Sequence, residues 1–165
     1  AKAVSEVRAA DELFATLNPV SRRLRFPAER ELIVTDTVGF IRKLPPELMD
    51  AFKTTFEEIE PSALLLHVLD ASSPEIDEHF QEVRRLLKEL ELDQKPVVVV
   101  LNKIDKCPPE TLEGLVRQYD GVPVSALDSQ TFGPLLSAIE RHFWPGPAPE
   151  RRVPDGEVAA YRDAV

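Results

Sequence analysis

The run Val97 to Leu101 (VVVVL) is apolar without interruption and passes straight into Asn102, Lys103, Ile104 and Asp105. A short apolar run bounded by polar residues reads as a strand covered on both faces, the kind found in a parallel sheet flanked by helices. Ala63 to Val68 (ALLLHV) repeats the signature and ends at Leu69 and Asp70. Between the two runs, Ile76, Phe80, Val83, Leu87 and Leu90 fall at helical spacing with charged residues between them, which predicts one amphipathic helix. Pro108 and Pro109 then open a short helical segment, Val122 and Val124 mark another strand, and Phe132, Leu136, Ile139 and Phe143 share a helix face that stops near Trp144. Strand and helix alternate throughout. The fold class is α/β with a mostly parallel sheet.

Upstream, Leu24 and Phe26 fit one strand and Leu32, Ile33 and Val34 the next, with a turn around Pro27 to Arg30, so an antiparallel hairpin is expected. Leu48, Phe52, Phe56 and Ile59 describe a helix from near Pro46 to before Pro61. With 165 residues, 43% of them hydrophobic, one substantial core is the expectation. That domain is assigned to residues 1–144, a proline-rich linker to 145–154, and the opening of a truncated C-terminal segment to 155–165.

The chain carries 20 Lys and Arg against 29 Asp and Glu, a formal charge of −9, which argues against this segment being the main nucleic-acid-binding surface and against a DNA partner. Cys107 is the one cysteine, so no internal disulfide can form, and no closely spaced His joins it in a metal cluster. No apolar run approaches the roughly 20 residues that span a bilayer. A cytoplasmic protein without a membrane partner is expected.

Three short motifs carry chemistry. Asp36 to Gly39 (DTVG) has the D-x-x-G form that nucleotide hydrolases place beside a γ-phosphate, where the carboxylate can hold Mg²⁺ and the glycine lets its amide approach phosphate oxygen. By itself this is more readily a strand-ending turn. Asn102 to Asp105 (NKID) is more specific, because N-K-x-D at the end of a buried strand reads guanine: the Asp carboxylate accepts from the N1 and N2 donors, a pairing that adenine cannot offer. Ser125, Ala126 and Leu127 match the S-A-x element that supports the base edge through backbone amides, and they follow N-K-x-D by one helix and one strand.

With those motifs in place, Asp36 to Pro46 (DTVGFIRKLPP), Leu13 to Pro19 (LFATLNP), Arg22 to Leu24 (RRL) and the His67 to Ser72 run (HVLDAS) resemble the signatures of the HflX family of ribosome-associated GTPases. The resemblance covers nearly the whole chain. It implies a Rossmann-like P-loop GTPase three-layer sandwich that binds GTP or GDP with Mg²⁺, hydrolyses GTP, acts on the large ribosomal subunit and dissociates ribosomes under stress. It further implies that Thr16 is the switch threonine that closes on Mg²⁺ and the γ-phosphate, that Asp36 and Gly39 form the second switch with Asp36 toward the metal, and that Asn102, Lys103, Asp105 and Ser125, with Ala126 and Leu127, form the base site. Asn18 stands where the family usually has Asp, and Val20 where Thr is common. Phe40 occupies the place where many GTPases carry a water-orienting Gln, and an aromatic ring cannot hold water by hydrogen bonding, so slow hydrolysis raised by a partner is implied.

None of the six glycines precedes Lys then Ser or Thr, so the 165 residues hold no G-x-x-x-x-G-K-[ST]. In the family that loop and the strand feeding it lie immediately before the position of Ala1, and the first strand is expected to be missing from the sheet. The 165 residues alone are expected to bind GTP poorly, because that loop supplies most of the phosphate neutralisation. A non-catalytic interaction module is the alternative. A phosphoacceptor domain built on Asp70, Lys103 and Ser125 is disfavoured by N-K-x-D. His67 reads as a hydrogen-bonded core histidine, Glu57, Glu58 and Glu60 as a solvated helix end, and Cys107 as a loop thiol.

Overall fold

The computed structural model describes residues 20–36 and 59–146. They belong to two compact units, one within Ala1–Pro61 and the other within Ser62–Val165, and each is described by itself.

In the first unit, β1 (Val20–Phe26) and β2 (Arg30–Asp36) pair antiparallel with Leu24 opposite Leu32 and Phe26 opposite Arg30, the hairpin expected from the sequence. Period-two alternation puts Leu24, Phe26, Leu32 and Val34 on one face, where Phe26 is buried. On the other face the Glu31 carboxylate meets Arg25 at 3.1 Å and Arg23 at 3.2 Å, and the hydroxyls of Ser21 and Thr35 lie 2.9 Å apart. Exposed pairs of this kind contribute about 0–1 kcal/mol each, so the backbone ladder and the apolar face carry the hairpin. The turn has no glycine, yet Ala28 and Glu29 have φ of 63° and 57°. Left-handed backbone costs an ordinary residue roughly 1–2 kcal/mol, which the flanking ladder must offset. Of the helix expected from near Pro46 to before Pro61, only Ile59, which is buried, and Glu60, which is exposed, are described.

In the second unit, β3 (Leu65–Asp70), β4 (Val97–Asn102) and β5 (Val122–Pro123) form a parallel sheet in the order β3-β4-β5, with Leu65 opposite Val97, Asp70 opposite Asn102 and Val100 opposite Val122. The helices between and after them are α1 (Ile76–Glu89), α2 (Pro109–Tyr119) and α3 (Gly133–Phe143). Asp77 and Glu78 in the first turn of α1 and Lys88 in its last suit the helix dipole. Pro109 opens α2, where its missing N–H is no loss. Phe132, expected on the last helix, instead closes a 3-10 turn, Ser129–Phe132, that leads into α3.

The core gathers Leu69, Ala71, Ile76, Leu101 and Tyr119, with Phe80, Val99, Leu112, Leu115 and Val116 packed around them. Neighbouring residues on a strand face opposite ways, and Val100 (3% exposed) and Leu101 (0%) are both buried, so β4 is the doubly covered strand its sequence promised. The same expectation for β3 does not hold. Val68 is 57% exposed between the buried His67 and Leu69, because β3 ends the described sheet and only its α1-facing side is covered there. The strand also begins at Leu65 rather than Ala63.

His67 differs from expectation as well. Its Nε2 is buried without a hydrogen-bond partner, and the ring stacks parallel on Phe80 with centroids 5.5 Å apart. Burial lowers its pKa to about 4, so the ring is neutral at ordinary pH and sits in the core as an aromatic plate.

Two predictions follow from this packing, both read in the full-length protein. A Cβ on Gly121 would lie 2.8 Å from Cγ and 2.9 Å from Cδ1 of Leu101, which has no exposed surface and no room to yield. Gly121→Ala should therefore destabilise by about 1–3 kcal/mol, measured by denaturant unfolding. His67 binds a proton more readily unfolded (6.5) than folded (about 4), so its contribution to stability is complete above pH 6.5 and lost as pH falls toward 4. The loss should be on the order of 2 kcal/mol, and His67→Phe, which keeps the stack without titrating, should flatten melting temperature against pH across that window.

Candidate functional site

At the C-terminal ends of β4 and β5 the chain leaves the sheet in two loops that are tied together side chain by side chain. Asn102, the last residue of β4, turns its Oδ1 back to accept the amide of Lys103 at 2.8 Å and the amide of Ala126 at 3.1 Å. The first bond accompanies a left-handed Lys103 (φ 63°) that turns the backbone into the 3-10 segment Ile104–Lys106. The second joins the two loops. Backbone bonds reinforce the tie: Val124 donates to the Leu101 carbonyl at 2.8 Å, and Ile104 donates to the Val124 carbonyl at 3.3 Å.

Asp105 and Ser125 complete the link. The Ser125 hydroxyl donates to Asp105 Oδ1 at 2.5 Å, while the Leu127 amide donates to that hydroxyl oxygen at 3.3 Å. Ser125 is 2% exposed, whereas Asp105 is exposed, so a buried hydroxyl fixes one end of a carboxylate that faces solvent. A carboxylate offers about four lone-pair sites, and one serine bond leaves room for a bidentate partner. Leu127 projects at 85% exposure beside it.

Lys103 reaches the other way, with its Nζ 2.8 Å from Asp70 Oδ2 at the end of β3. Asp70 Oδ1 accepts the Ser72 amide at 2.9 Å and the Ser72 hydroxyl at 2.6 Å. Desolvation alone would raise the Asp70 pKa, but the Lys103 ammonium and the two Ser72 donors more than reverse it and hold the carboxyl at about 2.

These loops belong to a chain with clear relatives. Residues 1–103 match the family model of the 50S ribosome-binding GTPases. The GTPase HflX of Caldanaerobacter subterraneus subsp. tengcongensis is 53% identical over 136 residues, which cover 81% of this chain and 30% of that protein. The GTPase HflX of Akkermansia muciniphila is 44% identical, with 81% of this chain and 32% of that protein covered. The chain belongs to the HflX family of GTPases. It spans about a third of the length of these relatives. Among solved structures, two crystal structures of SsGBP mutation variants superpose with TM-scores of 0.64 and 0.62 at 28% and 29% identity, each covering 80% of this chain and 48% of the other. The parallel β3-β4-β5 sheet with its helices is the corresponding part of a P-loop GTPase fold.

The HflX-family site residues expected from sequence thus divide. Asn102, Lys103, Asp105, Ser125, Ala126 and Leu127 come together in one hydrogen-bonded cluster. Asp36 is the exposed last residue of β2, in the other unit, while Thr16, Gly39 and Phe40 lie outside the described residues. Two members of the cluster were missed. Asp70 was grouped with Lys103 and Ser125 only in the disfavoured phosphoacceptor reading and not in the base site, and its tie to Lys103 crosses a long stretch of sequence. Thr131 gave no signal at all, yet its Oγ1 accepts the Ser125 amide at 2.9 Å and donates to the Asp128 carbonyl at 2.6 Å.

Thr131→Val keeps the shape and leaves the buried Ser125 amide unpaired, at a cost of about 1–3 kcal/mol. Faster hydrogen exchange at the Ser125 and Leu127 amides of the full-length protein is the expected result.

Proposed function

We propose that this chain is the guanine-reading part of a GTP hydrolase whose nucleotide state governs its attachment to the large ribosomal subunit. The observation that carries the reading is the solvent-facing Asp105 carboxylate, held by the buried Ser125 hydroxyl at 2.5 Å between two loops that Asn102 ties together. A fixed carboxylate accepts from the N1 and N2 donors of guanine without first losing rotamer freedom, whereas adenine offers no matching pair of donors. Lys103 flanks the base, and the Ala126 amide borders its edge. Ribosome attachment rests on the family description and on the HflX relatives. Dissociation of ribosomes under stress and a cytoplasmic location complete the reading.

Magnesium suits the reading through Asp36, a hard oxygen donor at the end of β2. Thr16 would join it, with Gly39 offering its amide toward the γ-phosphate. Such an ion neutralises charge on the β- and γ-phosphate oxygens. Phe40 cannot orient water by hydrogen bonding, which makes the ribosome the expected source of stimulated turnover. Residues 1–165 contain no G-x-x-x-x-G-K-[ST], so turnover is expected of the full-length protein and not of these residues alone.

The test is base choice in the full-length protein. Asp105→Asn removes a charged acceptor, which typically costs about 1.5–3 kcal/mol, so GTP affinity should fall roughly ten- to a hundredfold while xanthosine triphosphate affinity rises. Titration of both nucleotides reads the change. An unaltered preference for GTP would remove Asp105 from the base site.

A further inference from the structure

We propose that Asp70 is a positioning residue for guanine-nucleotide binding, acting through Lys103. The proposal rests on the base-site reading above and adds a member that lies on a different strand from the base-reading motif.

The geometry is specific. Asp70 closes β3 directly opposite Asn102 on β4, and the Ala71 amide that follows it donates to the Asn102 carbonyl at 2.8 Å. The end of β3 is thereby locked in register with the residue that precedes Lys103. Both carboxylate oxygens of Asp70 have assigned work: Oδ1 takes the amide and hydroxyl of Ser72, and Oδ2 takes Lys103 Nζ at 2.8 Å. The carboxylate therefore cannot swing away with the lysine. A lysine has four side-chain torsions, and at a left-handed backbone position with its side chain 48% exposed it would otherwise sample many rotamers. Anchoring the ammonium on β3 fixes both ends of the lysine, its Cα at the start of the loop that carries Asp105 and its Nζ at the end of β3. A base entering that loop then meets a stem already in place, and less side-chain entropy is lost on binding.

Asp70 has no role in telling guanine from xanthine, because it acts on the lysine and not on the base. Its loss should weaken every purine nucleotide the site accepts by the same factor. This separates it from Asp105, whose loss changes the preference.

The experiment is a double-mutant cycle in the full-length protein, with Asp70→Asn, Lys103→Met and the two combined, titrated with a fluorescent GDP and with xanthosine diphosphate. The ion pair is partly exposed, so Asp70→Asn should raise the GDP dissociation constant about three- to fivefold, within the range of surface pairs. The ratio of the two nucleotide affinities should not move. In the Lys103→Met background, Asp70→Asn should have no further effect. Should Asp70→Asn fail to fold, Ser72→Ala carries the same test: it removes the hydroxyl from Oδ1, leaves the Ser72 amide there and spares both charges, and should weaken GDP about twofold with Lys103 present and not at all with Met there. Multiplying effects, or affinity indifferent to Asp70 and Ser72, would overturn the proposal. If the unaltered protein bound no guanine nucleotide, the base-site reading would fall first and this proposal with it.

Discussion

Leu101 has no exposed surface, and the arrangement at the C-terminal edge of the parallel sheet is set out from the strand that holds it. On one side the Leu101 carbonyl accepts the Val124 amide, and on the other the Asn102 carbonyl accepts the Ala71 amide, both at 2.8 Å. The loops after β3, β4 and β5 are therefore launched from fixed points on one central strand. Gly121 fits the same constraint, since the chain returning from α2 passes too close to the Leu101 side chain to carry a Cβ. Apolar burial holds the strand, and the strand places the polar chemistry.

The parts legible in the sequence were those where local pattern and tertiary demand coincide. β4 is apolar up to Asn102 and is buried on both faces at Val100 and Leu101, so VVVVL reported its own environment. N-K-x-D was legible because its order is local: Asn102 turns the chain and Asp105 follows within the same loop. The hairpin of β1 and β2 was legible from alternation and its turn was placed, although the backbone conformation of the turn was not. Ala28 and Glu29 take left-handed backbone that sequence rules reserve for Gly or Asn, and only the register of the flanking ladder accounts for it.

What stayed hidden depends on partners far apart in sequence. His67 looked like a histidine that needed a hydrogen bond, because a buried polar atom usually has one. The structure satisfies its ring by stacking on Phe80, which lies one helix away, and leaves Nε2 unpaired. Neutrality makes that tolerable, since a buried imidazolium would cost far more than a buried imidazole. β3 misled for a related reason: three leucines, a histidine and a valine read as continuous burial, but whether both faces are covered depends on which elements flank the strand. Thr131 was hidden for a different reason: it lies only six residues from Ser125 but belongs to no motif, and it supplies the acceptor for a buried amide.

Two carboxylates at the same sheet edge show how environment divides labour between identical groups. Asp70 is bound at both oxygens, with Ser72 on one and Lys103 on the other, and its carboxyl is held at about 2. Asp105 is gripped at one oxygen by a buried hydroxyl and otherwise faces solvent. A carboxylate bound at both oxygens is a strut: its direction is set by partners on two sides, and an incoming ligand would compete with them. A carboxylate gripped at one oxygen keeps a fixed direction and spare acceptor capacity, which is what the base-reading role proposed for Asp105 requires. Sequence spacing assigns Asp105 its part through N-K-x-D. The strut's part comes from the parallel pairing of β3 with β4, which sets Asp70 opposite Asn102 and so within reach of the lysine that follows it.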